Sequence, residues 1–435
     1  MKIQVLPKYE DKNGWWEILD SPANVTRLTE NRDVNTAIIG GGIAGVSAAQ
    51  RLAELDPSLD VAVLEAMRIG QGPSGKNSGF MLDLHTHGET VEWEELNRSI
   101  RIWESGLNRM REWVRNGQIE CHWSEWGRIY GAAGADGEEN IAKLVRTLDH
   151  LGRSYTYRSA EQLRHDLGTD FYHMGLFLRG NALCNPSALM RGLKNALPVN
   201  VTVFEESPVN RIEKRKGGFT VATATGQIRA ERVVLATGTL LRHFGIARRR
   251  YFVISTYASM SEPLPEEQLR KFGLRDEFAI LGASANGATI RLTRDGRLLF
   301  RNAFTHDPKG TVAVRNVAWA RQTHVDAIKS RWPYLALMGL PYSWGGSVAI
   351  TRNQGAVFGE FGDGLYAVLP SDIGPMTKGA SFGTLLAEFM EGVDSPLLSD
   401  VLAAPIAKTL PPRPFLDLGI RQFLRKQARA GDGEY

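Results

Sequence analysis

The stretch Thr36-Ala37-Ile38-Ile39-Gly40-Gly41-Gly42-Ile43-Ala44-Gly45 runs from a short apolar block into a cluster of glycines and on into an alanine-rich segment. Residues 36–39 carry the continuous apolar pattern of a strand buried on both faces, and residues 46–55 carry that of a helix. A second buried strand, residues 61–64, ends at Glu65. The unit is therefore strand, glycine turn, helix, strand over about 30 residues, with GxGxxG at the turn and an acid about 20 residues beyond its last glycine. Glycines there let a backbone approach a pyrophosphate, the helix start offers N–H groups and a positive dipole end, and Glu65 can accept hydrogen bonds from ribose hydroxyls. A tight turn in an ordinary α/β core is the plainer alternative.

The segment after Glu65 narrows the choice of dinucleotide. In a nicotinamide enzyme the acid-tipped strand leads into another helix of the doubly wound sheet. Here it leads into Gly70-Gln71-Gly72-Pro73-Ser74-Gly75-Lys76-Asn77-Ser78-Gly79-Phe80, dense in turn-forming residues. Such a loop suits the ribityl-pyrophosphate part of a longer cofactor, which points to FAD.

The 435 residues exceed one compact core, and the formal net charge of +4 is small for that length, so the composition predicts no nucleic-acid binder. Cys121 and Cys184 are far apart in sequence with no metal-ligand or disulfide spacing. The N-terminal arm lacks the apolar core of a signal peptide, and no apolar run is long enough to span a bilayer, which makes the cytoplasm the expected location.

Further on, apolar residues recur at helical spacing over 92–114, 141–151, 187–197 and 318–332, and again over 376–390. Strand-like segments cover residues 201–205, 218–223 and 232–236. Those at 251–260, 288–292 and 297–300, with the turn Arg294-Asp295-Gly296, suggest an antiparallel sheet. The expected fold class is α/β: a Rossmann-like FAD-binding domain interleaved with an α+β substrate domain containing an antiparallel sheet. Residues 30–90, 180–243 and 345–400 are assigned to the first domain and 91–179 and 244–344 to the second, with an arm at 1–29 and a tail at 401–435.

The segments IIGGGIAGVSAAQRLAE, VLEAMRIGQGPSGKNSGF, NPSALMRGL, VVLATG, SEPL, DGRLLF, WGG and GASFGTLLAEF together resemble the glycine oxidase and D-amino-acid oxidase superfamily of FAD-dependent oxidoreductases. Trp15-Trp16 and the SGKN loop are most similar to its gamma-glutamylputrescine oxidoreductase branch. The resemblance implies that Gly40, Gly41, Gly42, Ile43, Ala44 and Gly45 meet the pyrophosphate, Glu65 and Ala66 the adenosine ribose, and Val209 the adenine. It implies further that Ser74, Gly75, Lys76, Asn77, Ser78 and Gly79 line the flavin side. Thr237 and Gly238, with the turn Gly374, Pro375, Met376 and Thr377, complete the site, the last placing a helix N-terminus under the flavin pyrimidine.

The chain departs from that branch at Lys76, where Arg is usual, and at Pro370-Ser371-Asp372-Ile373-Gly374-Pro375, which lacks the branch's histidine. Members with covalent flavin use a histidine in the glycine-rich loop or a cysteine near WGG; Asn77 and Trp344 stand there, so non-covalent FAD is expected.

The implied reaction is oxidation of a C–N bond in a small amine or amino acid, with oxygen or another electron acceptor. A 2-hydroxy acid dehydrogenase and a flavin-fold subunit without turnover are the alternatives. This chemistry needs positioning and a deprotonated amine more than a dedicated base. Candidates near the substrate are His85, with His87 beside it; Tyr257, which strand alternation points either inward or outward; Arg301, suited to a substrate carboxylate; and Lys378. The pair His85 and His87 lacks a nearby carboxylate or cysteine cluster to complete a metal site. Arg248-Arg249-Arg250 reads as a solvated loop, and the basic, amphipathic tail 415–430 suits packing on the body, on a partner subunit or on a membrane surface.

Overall fold

Strand Asn31–Ile39 lies at the centre of the first sheet because its apolar half has partners on both sides. Ile39 sits opposite Leu235 of the parallel strand Gln227–Leu235 and opposite Leu64 of the parallel strand Val61–Leu64. Val201–Phe204 adds beyond Val61–Leu64, and Leu365–Leu369 beyond Gln227–Leu235, again in parallel. Val357–Glu360 closes that edge antiparallel, and the hairpin Arg211–Arg215 and Gly218–Ala222 hangs from Gln227–Leu235, making eight strands. The computed structural model describes residues 1–7, 11–20, 25–84, 92–284, 287–307, 312–370 and 374–430.

Both faces of this sheet are covered, which is why its strands read as apolar runs rather than alternating ones. Helices Ile43–Leu55 and Pro375–Met390 pack on one face through Ala48, Leu52, Phe382 and Leu386 against Val63 and Val234. The hairpin and Phe244, Tyr251 and Val253 cover the other. The amphipathic helix Trp93–Asn116 lies with this domain, sharing a core with Val46 and Met376 through Leu107, Met110 and Trp113.

The second sheet also has eight strands, in the order Tyr342–Ile350, Phe252–Pro263, Arg297–His306, Thr289–Leu292, Phe278–Gly282, Arg128–Ala132, Met174–Leu178, Thr156–Ser159. All its pairings are antiparallel except Phe278–Gly282 with Arg128–Ala132. Helix Val314–Arg331 covers one face, with Ala327 and Ile328 packed among Ile290, Leu298 and Phe300. The opposite face meets the first domain. Residues 344–346 lie inside the edge strand Tyr342–Ile350 of this sheet.

The tail helix Phe415–Ala430 buries Ile420, and His306 Nε2 pairs with Asp417 Oδ1 at 2.9 Å. Phe415, Leu418 and Phe423 of the same helix are exposed. Arg249 and Arg250 donate to the carbonyls of Leu410 and Ala407, at 2.8 and 2.7 Å, and so hold the segment leading into the tail. Among the described residues no helix is long and apolar enough to cross a membrane.

Candidate cofactor and active site

Gly40 has φ +104°, and a Cβ there would lie 2.5 Å from the carbonyl oxygen of Ala236 on the neighbouring strand. A Cβ at Gly45 would lie 2.0 Å from the Gly40 carbonyl oxygen, so the turn and the helix approach closely only because both positions lack side chains. Helix Ile43–Leu55 starts at Gly42, which supplies no side-chain cap. Ser74 Oγ accepts from Ile43 N at 3.0 Å and ties the next loop to the helix start.

Glu65 closes the turn from the other side. Its carboxylate accepts from Gly41 N at 2.8 Å and from Met67 N at 2.9 Å, leaving lone pairs for a ribose. Burial pushes its carboxyl above the usual range, opposed by those two backbone hydrogen bonds.

A cleft of about 1360 Å³, counting its open mouth, begins here. Gly40, Gly41, Gly42, Ile43, Ala44, Glu65, Ala66, Ser74, Val209, Thr237, Gly238, Pro375 and Met376 line it. The donor set fits FAD on three counts: an uncapped helix start for pyrophosphate, an acid for ribose, and a second uncapped helix start at Gly374 and Pro375. Thr237 Oγ1 is buried there with no partner among the described residues.

The other expected residues stand behind this lining. Gly45 packs under Gly40, and Thr377 Oγ1 bonds to the carbonyl of Gly374, the helix N-cap, at 3.3 Å. The Gly75 carbonyl accepts from Asn13 Nδ2 at 3.1 Å, and the Asn77 carbonyl from Trp15 Nε1 at 2.9 Å. Ser78 and Gly79 present their carbonyls to Arg291 Nη1 at 3.2 and 3.1 Å. Lys76 is buried and pairs with Asp11. Burial pushes its ammonium below the ordinary lysine value, and Asp11 opposes that shift.

The second sheet meets this loop with one face. Alternation puts Arg291, Leu299, Arg301, Ala258 and Trp344 on that face, and Trp344 Nε1 donates to the Lys76 carbonyl at 2.7 Å. Arg301 is largely buried, 5.6 Å from the Phe304 ring centroid, with no hydrogen-bond or ion-pair partner among the described residues. Burial lowers its guanidinium to about 10, so it stays charged at neutral pH.

Tyr257 is not on this face. The register shifts between Thr256 and Tyr257, opposite Ala303 at φ 62°, and the ring turns to the helix side. There it meets Trp319 edge-on, and its hydroxyl lies 2.6 Å from Thr305 Oγ1. Lys378 places its ammonium 5.5 Å from the Trp103 ring centroid, between two helices of the first domain. His85 and His87 lie outside the described residues, as do Ser371, Asp372 and Ile373. Cys121 and Cys184, distant in sequence, meet as buried free thiols; burial and a hydrogen bond to Cys121 push the Cys184 thiol well up.

Residues 3 and 5–7 and Ser347, Val348 and Ala349 also line the cleft, and sequence reasoning missed them. No local motif marks them, because their place is set by pairing with distant strands. Asn13 was the available signal: an N-cap residue before Gly14-Trp15-Trp16, it caps helix Gly14–Glu17 and reaches the flavin-side loop.

A glycine turn feeding a helix start, an acid on the next strand and an antiparallel sheet closing over the cleft together define a dinucleotide-binding oxidoreductase. The chain belongs to the DAO family of FAD dependent oxidoreductases, whose family model matches residues 35–389. FAD is its cofactor. It is similar to the gamma-glutamylputrescine oxidoreductase of Escherichia coli, with 25% identity over 377 residues, 84% of this chain and 85% of that protein. It is also similar to the probable oxidoreductase OrdL of Haemophilus influenzae, with 25% identity over 358 residues and 78% of each chain. Among solved structures, glycine oxidase from Geobacillus kaustophilus shares the fold, with a TM-score of 0.71 over 84% of this chain and 96% of that one, at 17% identity.

Proposed function

We propose that this oxidoreductase acts on the C–N bond of a small amine or amino acid that carries an acidic group. The observation that carries the reading is Arg301: a largely buried cation, unpaired among the described residues, on the sheet face turned to the flavin-side loop. A buried charge is costly without a counter-ion, and a substrate carboxylate supplies one. The name of the Escherichia coli relative, an oxidoreductase of a glutamylated amine, supports the same substrate class.

In the reaction, carbon gives up a hydride and nitrogen a proton, C=N forms, and water cleaves the imine to a carbonyl compound and an amine or ammonia. Bound FAD supplies the two-electron acceptor, and oxygen or another acceptor restores it. The chain's part is to hold the amine neutral and oriented, with Arg301 fixing the acid end. The start of helix Pro375–Met390, which reaches the cleft through Pro375 and Met376, favours negative charge there. FAD is held without a covalent bond: the Asn77 amide is engaged with Ser74 O at 2.8 Å and Gly79 N at 2.9 Å, and Trp344 offers no nucleophile. A reducing cytoplasm suits the side-by-side thiols of Cys121 and Cys184.

The test is anaerobic titration of the purified yellow protein with amines, amino acids and 2-hydroxy acids while the flavin absorbance is followed. Bleaching by an acid-bearing amine is the expected result, and recovery in air identifies an oxidase. Bleaching by hydroxy acids alone overturns the reading, since Arg301 can hold their carboxylate equally well. Release of flavin on acid precipitation checks the non-covalent attachment.

A further inference from the structure

Residues 1–17 precede the part of the chain matched by the family, which begins at residue 35. The described ones, 1–7 and 11–17, are nevertheless bonded to the strand beside Val209, to the flavin-side loop and to the edge strand of the second sheet. At one end Ile3 N donates to the Asn210 carbonyl at 2.8 Å, Lys2 bridges to Arg211, and the Ile3 side chain enters the core beside Val209 and Ile212. At the other end Lys12 bridges to Ser343 on the edge strand of the second sheet. One oxygen of Asp11 pairs with Lys76, and the other accepts from Gly345 N at 2.9 Å. Between these anchors in sequence, Val5, Leu6 and Pro7 line the cleft itself.

The flavin-side loop depends on this arm. Three of its successive carbonyls are engaged from outside: Gly75 by Asn13, Lys76 by Trp344 and Asn77 by Trp15. Lys76 is a buried cation, and Asp11 is the carboxylate paired with it. Through its two oxygens Asp11 joins the arm to the loop and to the second sheet at once, so its loss cuts the arm from both.

We propose that the arm is a strap that retains the cofactor. Val5, Leu6 and Pro7 form the removable outer wall of the cleft, and Asp11 is the positioning residue that latches the strap to the flavin-side loop. FAD then leaves at the rate at which the arm detaches. The inference rests on FAD binding and is independent of the amine substrate.

The experiment measures FAD release from the holoenzyme, by recovery of flavin fluorescence after dilution, in wild type, Val5→Ser with Leu6→Ser, Asp11→Asn and Asp11→Glu. Visible circular dichroism of the bound flavin and the urea midpoint of the apoprotein are recorded alongside. The doubly substituted arm and Asp11→Asn are expected to release FAD about tenfold faster or more, since changes of this kind fall mainly on the dissociation rate. Asp11→Glu is expected to recover most of the wild-type rate and the wild-type flavin dichroism. Release at the wild-type rate from the double serine variant overturns the strap, and it decides the matter alone if Asp11→Asn fails to fold. Acceleration in proportion to a fall in the apoprotein midpoint, with no rescue by glutamate, overturns the positioning role of Asp11. A wild-type protein that takes up no FAD sinks the cofactor assignment itself, an outcome distinct from both.

Discussion

Single side chains carry the two most direct expectations. If Arg301 anchors an acid, Arg301→Met should raise KM for an acid-bearing amine by about 30-fold or more, because truncating one partner of a buried charge pair costs roughly 2–5 kcal/mol. Arg301→Lys should fall between, having the charge but not the fork, and steady-state kinetics with acid-bearing and neutral amines would separate the loss from general damage. His324 makes a second prediction. It is fully buried under the second sheet, with Nδ1 2.8 Å from Ser259 Oγ, and burial, with Arg301 nearby, lowers its pKa from 6.5 to about 4. As pH falls the unfolded chain takes the proton first, so stability is full above about pH 6.5 and is lost progressively down to pH 4. The loss is on the order of 3 kcal/mol at about 1.4 kcal/mol per pKa unit. Urea midpoints across that range should drop in wild type and lose most of this dependence in His324→Gln.

At the level of elements, what was legible in the sequence is what is local. Gly40, Gly42, Gly45 and Glu65 lie within one strand-turn-helix-strand unit, so spacing alone located the turn and its acid. Strand Val61–Leu64 was read with its true limits, and Trp93–Asn116 nearly so, because each presents an uninterrupted periodic pattern. Alternation alone left the face of Tyr257 open, because only pairing with a distant strand fixes which parity points inward; Ala258, opposite Arg301 and Trp344, takes that face. Residues 344–346 gave no strand signal because paired glycines carry almost no strand propensity, although Gly345 and Gly346 pair opposite Tyr257 and Thr256. Two substitutions test the elements themselves. Gly45→Ala should cost about 1–3 kcal/mol by overpacking the turn and weaken FAD retention, seen in thermal melts with and without FAD. Asn185 caps helix Pro186–Asn195 through Ser187 N and Ala188 N while donating to the Trp15 carbonyl at 3.1 Å. Asn185→Ala should therefore lose about 1–2 kcal/mol in urea unfolding.

For the whole molecule, the mixed α/β class was legible because strand types segregate along the chain, but the closure of the cleft was not. Part of its lining comes from residues 5–7 and 347–349, which are brought to the site by pairing of their neighbours with distant segments. Because the native state alone holds this cleft together, FAD should stabilise the fold by mass action, by about 2.7 kcal/mol at a hundredfold excess over Kd. A melting temperature that fails to climb with FAD concentration would contradict a preformed site. The pairing of residues 11 and 12 with Ser343 and Gly345 has a bearing on biosynthesis. During translation the arm emerges long before the edge strand it binds, and Gln227–Leu235 likewise waits for Leu365–Leu369. The nascent chain therefore carries a loose apolar segment through most of its synthesis and an unpaired strand edge through a later part of it, a state prone to aggregation. Slow production with ample chaperone, and flavin supplied to the finished chain rather than to its ribosome-bound precursor, is the regime in which this protein should be recovered whole.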